Sequence, residues 1–119
     1  MNAIGMLQSA VLLFLVTAAG GLVMAGIRLF RKHNPPAWLS MVHGLLAAAA
    51  LTLVAYAALT AGIPSPAGWA LALFLVVAAA GAAMNLLWQW KQRPLPVPLM
   101  LTHAAFAVVA LVLLVVAAF

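Results

Sequence analysis

The sequence predicts an all-α integral membrane protein: a four-helix transmembrane bundle built from two parallel helical hairpins, that is, hairpins of the same topology. Three observations lead to this prediction. The 119 residues are 70% hydrophobic and 4% charged, with a mean hydropathy of +1.30. The apolar runs exceed about 18 residues, which is typical of membrane spans. The chain also repeats itself, without a gap, at a spacing of 60 residues.

The repeat is visible in residue types that rarely match by chance in an apolar chain. Residues 13–16 (Leu-Phe-Leu-Val) return as residues 73–76, and further matches in the same register are Gly21 with Gly81, Met24 with Met84, Arg31 with Lys91, Pro36 with Pro96 and His43 with His103. We therefore expect a single transmembrane domain over residues 1–119, with one repeat in about residues 1–61 and the other in about residues 62–119.

Four spans can be placed in order, each of about 23–27 residues, enough to cross a hydrocarbon core of roughly 30 Å with some tilt. They cover about residues 4–30, 37–61, 67–90 and 97–119. Since lipid offers no partner for backbone polar groups, each span should be a helix. The short connections make neighbouring helices antiparallel.

The Lys and Arg residues predict the orientation. All of them lie at the ends of the first and third spans or in the loops that follow: Arg28, Arg31, Lys32, Lys91 and Arg93. By the positive-inside rule both basic loops are cytoplasmic and both termini lie outside. We expect a bacterial inner membrane. The net charge of +5 then reflects topology and lipid headgroups, and nucleic acid is not an expected partner.

Composition excludes several chemistries. The chain has no Asp, Glu or Cys, so it lacks carboxylate acids and bases, carboxylate metal ligands and thiol chemistry. It also lacks the acidic residue that many ion-coupled carriers place in the bilayer.

The two repeated histidines are the candidate site. His43 and His103 each lie about seven residues beyond a proline, roughly 10 Å inside the cytoplasmic end of their spans. An imidazole facing lipid is unfavourable, so we expect the pair to face each other inside the bundle, as near-equivalent groups. Zinc usually needs more protein ligands. Haem needs only two, because axial His ligation completes the coordination of its iron. The alternative is a polar contact between helices or with a partner protein.

Residues near the histidines fit a large flat ligand. Gly21 and Gly81 should reach a similar depth, where missing side chains would admit a macrocycle edge. They also fit close helix packing alone. Arg28, Arg31, Lys91 and Arg93 could pair with haem propionates at the cytoplasmic edge, although such residues also set topology.

This arrangement, with His43 and His103 on different spans, resembles the cytochrome b561-like group of membrane cytochromes. The resemblance implies a helical bundle holding haem b between histidines of different transmembrane helices. Such proteins typically carry two histidine pairs and two haems, one near each face. Here the outer half has no histidine, so the resemblance implies one bis-His haem and no complete path across the membrane.

Three functions follow as hypotheses. The first is a small b-type cytochrome that transfers electrons and exchanges them with quinone or with a respiratory or other redox partner protein. The second is a non-catalytic membrane subunit or assembly factor that packs against a larger complex. The third, transport, is disfavoured by the missing acidic residue and by the absence of an inverted repeat.

Overall fold

The computed structural model describes all 119 residues, and its regular secondary structure is entirely helical. The four helices are α1 (Ala3–Gly26), α2 (Ala37–Thr60), α3 (Ser65–Met84) and α4 (Val97–Ala118). Short π-helical segments, Ile27–Arg31 and Asn85–Gln89, prolong α1 and α3. With these segments, all four are long and apolar enough to cross a membrane, which indicates an integral membrane protein. The predictions of an all-α chain and of four such helices are confirmed.

Local chemistry explains where the helices begin. The Asn2 side chain accepts a hydrogen bond from the Gly5 N–H at the start of α1, a standard N-cap interaction. Pro36, Pro64 and Pro96 have extended backbone and immediately precede α2, α3 and α4. Helix α3 therefore starts two residues earlier than its expected start at residue 67, because Pro66 fits in a first helical turn.

The π-helical ends of α1 and α3 were not expected from the sequence. In the second of these segments the Trp90 N–H bonds to the Asn85 carbonyl, at 2.7 Å and five residues apart. Lys32 and Gln92, which correspond in the repeat, then adopt left-handed backbone with φ of 58° and 55°. A left-handed residue ends a helix by turning the chain away from its axis.

The helices form a four-membered ring around a common centre. Helix α1 packs mainly on α2, and α3 packs mainly on α4; α1 also contacts α4, and α2 contacts α3. The diagonal pairs are therefore α1 with α3 and α2 with α4. The long dimension of the molecule is 43 Å, comparable to a bilayer with its headgroup regions, at about 40–45 Å.

The tightly packed core lies in the half of the bundle that is remote from the basic loops. On α2 and α4 every buried residue lies at or beyond Ala50 and Ala110. At the centre of this half the rings of Phe14 and Phe74 stack across the α1–α3 diagonal, with centroids 3.8 Å apart and planes within 4°. Beyond Thr17 and Val77 toward the loops, Met84 is the only buried residue of the helices, so the bundle interior is less densely filled there.

The two basic loops meet at one end of the bundle. The Asn34 side chain donates to the Arg93 carbonyl at 2.6 Å and accepts from the Leu95 N–H at 2.9 Å. The Gln89 amide donates to the Pro35 carbonyl at 2.7 Å. These bonds join one hairpin loop to the other. At the far end the Gln8 amide donates to the Ala118 carbonyl at 3.0 Å, which ties α1 to α4.

The stacked phenylalanines generate a stability prediction. Phe14→Ala should destabilise the bundle by at least about 1 kcal/mol, because it removes the stack and leaves a cavity. Leu12→Ala is the control, since Leu12 is 62% exposed on the same helix. Unfolding followed by circular dichroism during titration with sodium dodecyl sulfate measures both variants. Equal destabilisation by the two substitutions would contradict the role given to the stack.

Candidate functional site

The structure brings the two repeated histidines together inside the bundle. His43 comes from α2 and His103 from α4, the second diagonal pair. Their ring centroids are 6.4 Å apart and their planes are inclined by 54°. Both side chains are partly buried. The pair lies between the stacked phenylalanines and the basic loops.

Each imidazole lies against a glycine of its own hairpin. A Cβ atom on Gly21 would stand 3.0 Å from His43 Cε1, and one on Gly81 would stand 3.1 Å from His103 Cε1. Both distances are too short for ordinary carbon contacts. We expected these glycines to admit the edge of a macrocycle. In the structure, the group that occupies the space of the missing side chain is the imidazole itself.

A backbone carbonyl sets the orientation of His43. The Nδ1 atom lies 2.9 Å from the carbonyl oxygen of Thr17, one helical turn before Gly21. A carbonyl only accepts, so this bond requires the Nδ1–H tautomer and leaves Nε2 with a free lone pair. Metal-bound histidines commonly donate their other ring N–H to a carbonyl or carboxylate in this way.

His103 differs from His43 in this respect. The Val77 carbonyl is the corresponding acceptor in the second hairpin and faces the His103 ring. However, Nδ1 of His103 is buried and makes no bond within hydrogen-bonding geometry. Sequence reasoning missed Thr17 and Val77 because a backbone carbonyl has no signature in residue type.

The donor set is limited to the two imidazoles. No group of three or more His, Cys, Asp or Glu side chains comes together in the structure. The third histidine, His33, is exposed in the first loop, where its Nδ1 lies 2.9 Å from the Asn34 carbonyl. The central site thus offers two nitrogen donors.

The surroundings of the pair are apolar. Gly21, which contacts His43, follows Phe14 by seven residues. The stacked phenylalanines are therefore about two turns, roughly 10 Å, farther from the basic loops than the histidines. Met84 and the partly buried Met24 lie about one turn nearer the loops. A lateral groove of about 300 Å³ between α1 and α2 leads to Thr17 and His43, with Val16, Val23, Leu39, Val42 and Leu46 among its lining residues.

The four basic site candidates divide into two environments. Arg28 is partly buried, and its Nε donates to the Leu95 carbonyl at 2.9 Å. Arg31, Lys91 and Arg93 are exposed at the rim. The chain contains no acidic side chain that could neutralise any of them.

Comparison with known protein families, curated proteins and solved structures finds no match to this chain.

The glycine contacts generate a second prediction. Gly21→Ala should displace the His43 ring and break its bond to the Thr17 carbonyl, because the added methyl group would overlap Cε1. Gly20→Ala is the matched control, since nothing lies within 4 Å of a Cβ there. Histidine side-chain ¹⁵N–¹H spectra of the detergent-solubilised protein report the change. If Gly21→Ala leaves the His43 signals where Gly20→Ala leaves them, the contact does not position the ring.

Proposed function

We propose that the protein is a small membrane b-type cytochrome that transfers electrons and holds one haem between His43 and His103, near the basic end of the bundle. The observation that carries the proposal is the pair of imidazoles that face each other across the α2–α4 diagonal.

The separation of the rings fits two axial ligands. A metal bonded to one nitrogen of each imidazole, at roughly 2 Å per bond, holds the two ring centres about 6 Å apart. The measured centroid distance is 6.4 Å.

The chemistry of the donors supports the same ligand. His43 presents Nε2 as a free lone pair because Nδ1 bonds to Thr17. Two nitrogen donors do not complete the tetrahedral shell that zinc prefers. They do complete the coordination of an iron already bound by a porphyrin, as axial histidines do in haem proteins.

The packing of the bundle agrees with a ligand placed at the level of the histidines. Between the histidines and the loops the helices bury only Met84, whereas the opposite half is tightly filled. The stacked Phe14 and Phe74 rings would bound a macrocycle in the less densely filled half on its side remote from the loops. Arg28 is the basic residue nearest the interior and would meet a propionate through its remaining N–H groups. Arg31, Lys91 and Arg93 would do so only from the rim.

We further propose that the two hairpins are parallel repeats related by a two-fold axis along the membrane normal. The Phe14–Phe74 and His43–His103 pairs each join residues that are 60 positions apart, and both cross the bundle centre. The meeting of the two loops at one end supports the same direction for both hairpins. The basic loops would face the cytoplasm, with both termini outside, in a bacterial inner membrane.

In this proposal the haem supplies one-electron chemistry, and the chain holds and shields it. His43 and His103 fix its position, the apolar walls exclude water, and Arg28 offsets negative charge. Since the far half contains no histidine, electrons would enter and leave on the basic side. The partner would be quinone or a redox protein.

Absorption spectroscopy tests this function. The purified protein should contain one haem per chain with a low-spin spectrum, and His43→Ala or His103→Ala should abolish that low-spin spectrum. His33→Ala, in the exposed loop, should leave it intact. A colourless protein prepared under conditions that preserve haem would reject the proposal. Copurification of that colourless protein with a larger complex would favour the non-catalytic subunit instead.

Topology is tested separately. Alkaline phosphatase, active only outside the cytoplasm, should be active when fused after Phe119 and inactive when inserted at Lys32 or Gln92. Green fluorescent protein should show the reverse pattern. Activity of the loop fusions outside the cytoplasm would invert the proposed orientation.

A further inference from the structure

The two hairpins differ in the hydrogen bonding of histidine Nδ1, the ring nitrogen that would remain free when Nε2 binds a metal. The repeat predicts near-equivalent imidazoles. In the structure His43 Nδ1 has a carbonyl partner at 2.9 Å, whereas His103 Nδ1 is buried without a hydrogen bond. The sequence differs at the same place, because Thr17 of α1 corresponds to Val77 of α3.

The hydrogen-bond partner of His43, the Thr17 carbonyl, belongs to a well-packed part of the bundle. Thr17 is 6% exposed, and its hydroxyl bonds to the Leu13 carbonyl at 2.8 Å. Its carbonyl therefore sits on a packed segment of helix, directly next to the tightly filled half. His43 is held by a short bond to that segment and by the surface of Gly21.

His103 has the glycine contact without the bond. Gly81 limits the position of its ring, and the Val77 carbonyl faces the ring, but Nδ1 makes no bond of hydrogen-bonding geometry to it. A buried polar atom without a partner is costly, so the ring gains from any movement that gives Nδ1 a partner. Outer hydrogen bonds also raise the basicity of a metal-bound histidine, and their loss typically lowers metal affinity by 10–100-fold.

We propose that His43 is the permanent haem ligand and His103 the exchangeable one, so that a small neutral ligand such as carbon monoxide or free imidazole can replace His103. This inference rests on the proposed haem site. It assigns the two histidines different roles: His43 anchors the group, and His103 opens a coordination position when it leaves.

The test compares glycine variants of the two histidines in the full-length protein. His103→Gly should retain most of the haem, bind carbon monoxide when reduced, and regain a low-spin spectrum when free imidazole is added. His43→Gly should lose haem affinity at least tenfold more than His103→Gly does, and imidazole should restore it poorly. Circular dichroism and gel filtration of the haem-free proteins check that both variants fold.

Three outcomes are distinguishable. Retention of haem by His103→Gly and its loss by His43→Gly supports the inference. Equal loss and equal rescue in both variants, or greater loss in His103→Gly, overturns it while the proposed cytochrome function stands. Absence of haem from the wild-type protein overturns the function and this inference together.

Discussion

The contact between each imidazole and a glycine of the facing helix is the constraint on which the centre of this bundle depends. A methyl group at Gly21 or Gly81 would overlap the ring that lies there. The missing side chains leave space for the imidazoles inside the bundle, away from lipid, where an exposed polar ring is unfavourable. The same contacts place His43 beside the Thr17 carbonyl and hold the two rings at 6.4 Å.

The two halves of the bundle, along its length, differ in how they are packed. The half remote from the loops is filled by alanine, larger aliphatic and phenylalanine side chains and ends at the Phe14–Phe74 stack, as expected where helix association in lipid relies on close packing. The other half carries the histidines, has few buried side chains, and is held at its end by polar bonds from Asn34 and Gln89 rather than by apolar contacts. The buried side chains are therefore concentrated in the half of the bundle that does not contain the histidines.

Sequence patterns were sufficient for some features and not for others. Apolar run length gave the four helices within a few residues, because the bilayer imposes one length scale on all of them. The repeat drew attention to His43, His103, Gly21 and Gly81. The π-helical ends, the Asn34 bridge and the Thr17 carbonyl were not predictable, since each depends on tertiary placement of backbone groups. The repeat also implied equal histidines, whereas Nδ1 of His43 bonds to the Thr17 carbonyl and Nδ1 of His103 has no hydrogen bond.

The most direct measurement is the electron paramagnetic resonance spectrum of the oxidised, purified protein, with electron–nuclear double resonance on a sample labelled with ¹⁵N in histidine alone. Coordination of one haem iron by His43 and His103 predicts a low-spin ferric signal coupled to two histidine nitrogens. A high-spin signal, coupling to a single histidine nitrogen, or the absence of any haem signal would contradict the bis-histidine site.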